Sequence, residues 1–473
     1  MKHIASKINL LLFWPILFLF AFIPLYPKFP LFNVSGTFVA IRVEDLLIAL
    51  VTAIWSINLL ISGKIKDFFS TRINQVLILF LSIGFLSLFS AVFLTHTVSP
   101  NLGLFHYLRR LEFIMLLPIV ASVVKTKKQL SLSLIVLSLV LVSTNIFAFG
   151  QQYLDWPVIS TTNSEFAKGL ILRLTPEARV NATFAGHYDF AAFLTMAFCL
   201  MVPLFFAVRK KFKLWIVILG VMSSITLVMT SARVSFVAAI FGIILSLLLT
   251  GKKKFLLLLA IVLTLILIYP SNLRDRFIST VNVNILQKWQ SYQGKTEDQK
   301  IRSRLNIPTL AVKTSSTSAQ TSTFATGSGL PSDITPGEPV DTTELGVYRS
   351  FSIRLNIEWP RAIAAFQKNP LLGTGYSSLG IATDNDVLRS LGEVGLMGTL
   401  AFILLLIAIA KRIWFLFKNS ERYIKFFSAG VLSIILAFLL NSLFIDVFEA
   451  SKVASLFWMI LGLNLAAFNF KES

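Results

Sequence analysis

The sequence contains little charge and a single cysteine, and both shortages limit what the protein can be. Of its 473 residues, 14% are charged and 55% are hydrophobic, and the mean hydropathy is +0.77. Soluble domains carry about 25% charged residues, so this composition is typical of a polytopic membrane protein. The single cysteine, Cys199, lies inside an apolar run. Because an intramolecular disulfide needs two cysteines, none can form, and a cysteine-based metal site is disfavoured.

Histidine is also scarce. The four histidines are scattered along the chain without the spacing of metal ligands, at His3, His96, His106 and His187. We therefore predict neither a structural zinc site nor another metal site, and no cofactor.

Long apolar runs predict about twelve membrane spans and an all-α polytopic fold. The opening "MKHIASKINLLLFWPILFLFAF" is not followed by a small-residue cleavage site, so we interpret it as the first span rather than a signal peptide. The predicted spans lie near residues 8–26, 45–62, 75–95, 107–124, 129–149, 184–208, 213–230, 234–250, 255–270, 393–410, 424–445 and 453–470. The chain thus divides into spans one to nine (1–270), a large loop (271–392) and three final spans (393–473).

The net charge of +20 is concentrated on one side of these spans. Both termini and alternate connections hold about half of the 43 Lys and Arg residues, but only Asp67, Glu421 and Glu472 among the 23 acidic residues. The connections read "SGKIKDFFSTR", "KTKKQ", "RKKFK", "GKKKF" and "KRIWFLFKNSERYIK". By the positive-inside rule, both termini are cytoplasmic and the protein lies in the cytoplasmic (inner) membrane. The basic charge orients the chain and does not indicate a nucleic-acid partner.

The large extracytoplasmic loop between spans nine and ten contains a segment that cannot form a core. Residues 314–346, "TSSTSAQTSTFATGSGLPSDITPGEPVDTTELG", are rich in Ser, Thr, Gly and Pro. This composition predicts a disordered insertion, which we favour over a glycosylated or ligand-binding tract. Beyond it, Arg354 and Glu358 are spaced to share one side of a helix. Pro370 ends that stretch, and "GTGY" predicts a turn with close backbone approach.

The end of the loop, "ATDNDVLRSLGEVGLMG" (382–398), places several charges just before an apolar run. We interpret it as a helix entering the membrane, on which Asp386, Arg389 and Glu393 share one face. Its glycines would permit close helix packing. They are Gly392, Gly395 and Gly398.

Other charged residues also gather at the extracytoplasmic ends of the spans. They are Arg42, Glu44, Asp45, Arg109, Arg110, Glu112, Arg179, Asp189, Arg233, Asp446 and Glu449. Any one of them is explained by a solvated or snorkelling helix end. Together, however, the charges lie at one membrane depth, at the extracytoplasmic ends of the spans. A transporter would more often place ionisable groups near the midplane, so this distribution predicts a site at the outer interface.

Three arginines in this region have the chemistry of phosphate ligands. Arg179, Arg233 and Arg354 lie where a span meets an extracytoplasmic segment, or within the segment's ordered part. The planar, permanently charged guanidinium binds phosphate oxygens with two parallel hydrogen bonds. A pyrophosphate leaving group needs such cations, since negative charge accumulates on it as the bond breaks.

Three motifs, in this order and around a large outer loop, resemble the O-antigen ligase and polymerase superfamily of bacterial envelope glycosyltransferases. The first is "RVNATFAGHYDFAAFL" (179–194), similar to the family's Arg, Gly-Thr-Phe and His-Pro-Asn pattern. The second is "TSARVSF" (230–236), similar to a Thr/Ser-Arg motif between two spans. The third is "NPLLGTGYSSLG" followed by "TDNDVLRSLGEVGLMG", similar to Pro-Leu-Leu-Gly-x-Gly, His-Asn and Glu-x-Gly-Leu-x-Gly.

The resemblance implies a GT-C-like membrane glycosyltransferase of polysaccharide biosynthesis in the cell envelope. Its donor would be an oligosaccharide on a polyprenyl pyrophosphate, such as undecaprenyl pyrophosphate. Ligases of the family transfer the glycan to lipid A–core or to protein, and polymerases transfer it to another lipid-linked repeat unit, so the acceptor is a glycolipid, glycan or protein. The matching positions assign pyrophosphate contact to Arg179, Arg233 and, less directly, Arg354.

The sequence differs from the family's pattern at the position of the catalytic base. The family's histidine before asparagine is Asp384 here, so the base for the acceptor hydroxyl is Asp384, Asp386, Glu393 or His187. Each acid has an alternative role as a helix cap, a turn residue or an arginine partner. A second hypothesis from another class is a transporter or flippase that moves a polysaccharide or lipid-linked oligosaccharide without bond chemistry.

Overall fold

The structure, a computed structural model, describes residues 2–33, 40–160, 171–175, 177–283, 340–380 and 382–470. Most of the predicted insertion, residues 314–339, lies outside these ranges. Within them the chain is nearly all helical, and its strands form two short antiparallel hairpins. The strands are β1 (Phe32–Asn33) with β2 (Ala40–Ile41), and β3 (Val158–Ile159) with β4 (Ile171–Leu172).

Besides the strands, the regular structure of the described chain consists of sixteen α-helices, one π-helical turn and one 3-10 turn. The helices are α1 (Lys2–Leu25), α2 (Val43–Ile61), α3 (Ile65–Ser70), α4 (Arg72–Phe93), α5 (Pro100–Val123), α6 (Lys127–Tyr153), α7 (His187–Ala207), α8 (Lys210–Met229), α9 (Arg233–Leu249), α10 (Phe255–Ile268), α11 (Asn272–Asn282), α12 (Glu344–Ile353), α13 (Trp359–Lys368), α14 (Asp386–Asn419), α15 (Arg422–Ser442) and α16 (Ser451–Leu465). A π-helical turn (Arg354–Glu358) joins α12 to α13, and a 3-10 turn (Ala466–Asn469) follows α16.

The helices confirm an all-helical, membrane-type architecture. Among the described residues, eight helices are long and apolar enough to cross a membrane, namely α2, α4, α6, α7, α8, α14, α15 and α16. The apolar parts of α1 and α9 are shorter, and α10 and α11 meet at an angle of 88°. A helix lies at every position where the sequence predicts a span. The count of twelve crossings stays a prediction.

The most buried helix is α16, which packs against α1, α5 and α15. Close approach depends on glycine at two helix contacts. A methyl group at Gly462 would lie 2.5 Å from the carbonyl oxygen of Leu117 on α5, and one at Gly430 of α15 would lie 2.8 Å from that of Cys199 on α7. Small residues let helix backbones pack closely where lipid gives no hydrophobic driving force. In contrast, α10 buries none of its side chains, so we expect its apolar surface to face lipid.

The helix α14 is broken at Gly395, which was not predicted. Gly395 has φ of +66° and ψ of −169°, a conformation open essentially only to glycine. Leu396 and Met397 donate their N–H groups to the carbonyls of Pro370 and Leu371 at 2.8 and 3.2 Å. The residues just before the predicted "GTGY" turn therefore accept the hydrogen bonds that the broken helix cannot, so the backbone N–H groups beyond the break are satisfied within the protein.

The other glycines of this region behave largely as predicted. Gly373 and Gly375 have φ of +71° and +89°, and the N–H of Gly375 donates to the carbonyl of Glu393 at 2.8 Å. Gly392 permits close packing, since a methyl group there would lie 3.0 Å from the carbonyl oxygen of Ala362 on α13. The third motif is thus one interlocked unit, in which the glycine turn and the broken helix hold each other.

Candidate functional site

Charged side chains meet at one end of the helix bundle, around the first turn of α7. Five parts of the chain contribute: the segment before α7, the first turn of α9, α11, the π-helical turn, and the loop that leads into α14. All seven predicted site residues lie in or beside these parts, at Arg179, His187, Arg233, Arg354, Asp384, Asp386 and Glu393. Their contacts divide them into two groups.

Arg354 and Asp384 form an ion pair, with 2.6 Å between Nη2 and Oδ2. Arg354 is 8% exposed, and its Nη1 also donates to the hydroxyl of Ser350 at 2.8 Å. The phenol of Tyr188, on the first turn of α7, interacts with the same guanidinium. The candidate base therefore lies directly against a candidate phosphate ligand, although the two residues come from different parts of the sequence.

A carboxylate beyond the end of α15 shapes the Asp384 loop. Asp446 Oδ2 accepts hydrogen bonds from the N–H groups of Thr383 and Asp384 at 2.8 and 3.1 Å, and Oδ1 accepts from that of Asn385 at 3.2 Å. Asp384 has φ of +50°, a left-handed conformation that aspartate adopts more readily than most residues. Consecutive amides around one anion form a fixed concavity, so Asp446 sets the direction of the Asp384 side chain.

Glu358 is an additional acid of the site that the sequence analysis did not select. It is 7% exposed, and its Oε2 has no hydrogen-bond partner in the described chain. Burial, followed by the negative charge of Asp384, raises the pKa of Glu358 to about 8. Burial also raises the pKa of Asp384, and Arg354 opposes that rise. Two neighbouring acids in this environment disfavour simultaneous ionisation.

The first motif folds so that Arg179 meets His187. The side-chain amide of Asn181 donates to the carbonyls of Ile159 and Phe184 at 3.1 and 2.9 Å, which bends the segment before α7. Arg179 Nη1 then lies 2.9 Å from His187 Nε2. Because a guanidinium only donates, Nε2 accepts in this contact and is occupied by Arg179. His187 is therefore placed as an arginine partner rather than as an accessible base.

Arg233 links the start of α9 to α11 and α12. Its Nη1 contacts the hydroxyl of Thr280 and the carbonyl oxygen of Arg276, the latter at 3.4 Å. Its guanidinium carbon also lies 5.8 Å from the centre of the Phe351 ring, in cation–π range. Arg179 and Arg354 thus contact the first turn of α7, and Arg233 contacts the neighbouring helices α11 and α12.

Asp386 and Glu393 belong to the second group of contacts. Asp386 Oδ2 accepts from a backbone N–H between α15 and α16 at 3.1 Å, and Glu393 Oε1 accepts from that of Ser377 at 3.1 Å. Arg389 joins this group through Glu393 at 3.4 Å and Asp446 at 3.0 Å. These acids hold loops together, whereas Asp384 is the predicted acid that contacts a predicted phosphate arginine.

Buried lysines extend the polar layer on the other side of α7. Lys452 is 0% exposed and donates to the carbonyls of Tyr26 and Thr183 at 2.5 and 2.6 Å. Lys28 donates to the hydroxyl of Ser451 at 2.6 Å, and burial, followed by nearby arginine charges, lowers the pKa of Lys28 to about 7. These contacts tie the end of α1 to α7 and α16, so we interpret the lysines as structural.

An apolar groove of about 1050 Å³ runs between α7, α8, α9 and α10. Its walls are mostly aliphatic and aromatic, including Phe198, Val221 and Leu258. One end of the groove is bordered by Ala178 and Ser231, which lie one and two residues before Arg179 and Arg233. The groove therefore leads from the apolar sides of the helices to the arginines.

A protein metal centre requires several ligand side chains close together. No group of three or more His, Cys, Asp or Glu side chains in the described ranges is arranged to hold a metal ion. The positive charge of the site comes from its arginines.

Fold and site together define an all-helical membrane protein with an arginine- and acid-lined site at one end of its helices. Residues 217–403 match the family model described as O-antigen ligase, which confirms the resemblance to that superfamily. The matched segment contains Arg233, Arg354 and Asp384, whereas Arg179 and His187 precede it. None of the curated proteins matches the chain.

Proposed function

We propose that this protein transfers a glycan from a polyprenyl pyrophosphate to an acceptor hydroxyl at the extracytoplasmic face of the membrane, in cell-surface polysaccharide biosynthesis. The observation that carries the proposal is the ion pair between Arg354 and Asp384, which joins a phosphate-binding cation to a carboxylate beside Tyr188. The O-antigen ligase match supports glycan transfer as the reaction class.

In the proposed reaction the acceptor oxygen attacks the anomeric carbon of the donor sugar. A carboxylate takes the proton of the acceptor hydroxyl as the new C–O bond forms. The bond between the anomeric carbon and the pyrophosphate oxygen breaks, and the polyprenyl pyrophosphate leaves with the electron pair. Arg179, Arg233 and Arg354 stabilise the charge that develops on the leaving group, so the mechanism requires no metal.

Donor binding would also release the base. In the structure the Arg354 guanidinium is engaged by Asp384. A diphosphate is a stronger competitor for arginine than a single carboxylate, because it offers more oxygens and more charge. Once Arg354 turns to the phosphate, Asp384 is free to accept a proton. Burial raises the pKa of Asp384 and thereby strengthens it as a base.

The apolar groove supports a lipid-linked donor. Its lining includes Ala178 and Ser231, one and two residues before Arg179 and Arg233, so a polyprenyl chain lying in it would bring its pyrophosphate close to these arginines. Ligand sites of this kind are mostly apolar and carry a few oriented polar groups.

The distribution of basic residues supports an extracytoplasmic site. The ends of the helices opposite to the site carry the Lys- and Arg-rich connections, such as "RKKFK" and "GKKKF". By the positive-inside rule those ends are cytoplasmic, as are both termini. We therefore propose twelve crossings, with the large loop between the ninth and tenth outside the cell membrane.

The test is transfer by the purified full chain, supplied with a lipid-linked oligosaccharide and candidate acceptors. Arg354→Gln and Arg233→Gln should each lower the rate of transfer by a factor of at least about 100, the usual cost of removing one such charge contact. Arg72→Gln, an exposed arginine at the other end of the bundle, is the control. Normal transfer by both site variants would overturn the proposal. Passage of intact glycan across sealed vesicles would instead establish the transporter hypothesis.

A further inference from the structure

Arg276 occupies the buried face of an amphipathic helix. Ser271 caps α11 by accepting from the N–H of Arg274 at 3.3 Å, and the helix then turns its apolar side inward. Leu273 is 1% exposed, and Phe277 packs against the same core. Arg276 is 2% exposed on that face, at a position where a leucine would supply packing without a charge.

Part of the Arg276 guanidinium lacks a hydrogen-bond partner among the described residues. Its Nε is buried without a hydrogen-bond partner, and no acid of the described chain forms an ion pair with it. Arg389 is buried to the same extent, but two carboxylates neutralise it. A buried charge without a partner is strongly unfavourable, so its persistence points to an anion that binds in the working protein.

Arg276 lies among the arginines already described. Arg233 donates to its carbonyl oxygen at 3.4 Å. The charges of Arg276 and Arg179 both act on His187, and those of Arg276 and Arg354 both act on Tyr188. Three arginines therefore act on the first turn of α7, Arg233 contacts the backbone of one of them, and Asp384 is the acid that contacts Arg354.

We propose that Arg276 is a fourth arginine of the anion site and binds the diphosphate of the donor. The inference rests on the proposed function and adds a binding residue to it. A diphosphate carries its charge on two phosphates, and a fourth guanidinium supplies the second of them with a hydrogen-bonding partner. Arg276 thereby favours a diphosphate over a monophosphate.

The test separates binding from folding in the purified full chain, with farnesyl diphosphate, farnesyl monophosphate and inorganic pyrophosphate as probes. Arg276→Gln should weaken both diphosphate probes about tenfold or more, the effect of losing about 1.4 kcal/mol of binding free energy. Its affinity for farnesyl monophosphate should change less. Arg276→Lys, which keeps the charge but loses the planar fork, should fall between Gln and the wild type.

Thermal unfolding without ligand supplies the second measurement. Because no acid of the described ranges pairs with Arg276, Arg276→Gln should leave the Tm of the unliganded protein unchanged or raise it. Arg389→Gln, which removes two ion pairs from an equally buried position, should lower that Tm. A lower unliganded Tm in both Arg276 variants, with unchanged affinity for all three probes, would show that Arg276 is structural.

The same titrations separate this inference from the proposed function. If Arg354→Gln and Arg233→Gln weaken diphosphate binding and Arg276→Gln does not, the role of Arg276 is wrong and the site stands. If none of the three variants affects diphosphate binding, the proposed pyrophosphate site itself is wrong. Preferential loss of diphosphate binding in Arg276→Gln supports both.

Discussion

At the scale of single residues, the site depends on the contact between a predicted phosphate ligand, Arg354, and a predicted base, Asp384. Arg354 was predicted to bind phosphate and Asp384 to activate the acceptor, and the structure joins them at 2.6 Å. In this ion pair the positive charge of Arg354 and the negative charge of Asp384 neutralise each other. It also couples the two predicted roles, because the donor must displace Asp384 to reach Arg354.

The first prediction uses this coupling to separate binding from chemistry. Asp384→Asn should leave diphosphate affinity unchanged or increase it, since Arg354 is no longer neutralised. The rate of transfer should fall by a factor of about 100 or more, because the amide cannot accept the acceptor proton. Affinity is measured by titration with farnesyl diphosphate, and rate with the lipid-linked donor. Normal transfer by this variant would assign the base to another acid, of which Glu358 is the nearest buried candidate.

The second prediction concerns Glu358 and pH. Its pKa is raised to about 8 in the folded protein, so the folded state holds this proton more tightly than the unfolded chain. The resulting stability is fully present below the unfolded pKa of about 4.5 and is lost as pH rises through about 8. Between pH 6 and pH 9 the Tm of the wild type should therefore fall by about 2–4 °C more than that of Glu358→Gln.

The control for the pH series is an acid in a different environment. Asp67 lies exposed on α3, and Asp67→Asn should reproduce the pH dependence of the wild type. Parallel Tm curves for the wild type and Glu358→Gln would show that Glu358 does not titrate in this range.

At the scale of elements, the break in α14 determines how the third motif folds. The turn that contains Gly373 and Gly375 donates to the carbonyls of Gly392 and Glu393, and accepts from Leu396 beyond the break. The hydroxyl of Ser87 on α4 also donates to the Glu393 carbonyl at 2.9 Å. The loop that carries Asp384 runs between these two interlocked parts, so its position follows from theirs.

The third prediction is that Gly395 tolerates no side chain. A methyl group there would lie 2.4 Å from the carbonyl carbon and oxygen of Leu371, at a backbone conformation that other residues avoid. Gly395→Ala should therefore destabilise the protein by about 2–4 kcal/mol, seen as a lower Tm and lower yield. Gly220→Ala is the matched control, because nothing lies within 4 Å of its added carbon on α8. Equal Tm values for both variants would contradict the role of the break.

At the scale of the whole molecule, the site is shared by helices that are far apart in sequence. The first turns of α7 and α9, the helix α11 and the loop before α14 meet at one end of the bundle. The opposite end carries the basic connections, and the lining of the apolar groove between α7, α8, α9 and α10 includes Ala178 and Ser231, close in sequence to Arg179 and Arg233. Donor tail, pyrophosphate and acceptor would thus meet at one membrane surface.

The fourth prediction tests the orientation of this surface. Cys199 is buried and is the single cysteine, so Cys199→Ala provides a cysteine-free background. Single cysteines at Glu177 and Asp341, both exposed at the site end, should react with a membrane-impermeant maleimide in intact cells. Cysteines at Lys64 and Lys253, exposed at the other end, should react only after permeabilisation. The reverse pattern would invert the proposed topology.

Much of the fold was predictable because hydropathy acts locally. Every predicted span coincides with a helix, and the charges of the first and third motifs lie at one end of the bundle as expected. Glu358 and Arg276 were not selected as site residues from the sequence. Glu358 had a visible signal, its spacing of four from Arg354. For Arg276 the signal was its position between Leu273 and Phe277, on the side of an amphipathic helix that is otherwise apolar.

The amino-acid sequence by itself determined the class of protein, the helices and the set of arginines available for phosphate, because apolar length and side-chain chemistry are properties of short segments. The tertiary structure alone decided which of these residues meet. It paired Arg354 with Asp384, engaged Asp386 and Glu393 in loop contacts, and left the Nε of Arg276 buried without a hydrogen-bond partner in the part of the chain that the structure describes. These outcomes depend on tertiary contacts between separate elements, since Asp384 lies 30 residues from Arg354 and Asp386 lies 62 residues from its partner Phe448.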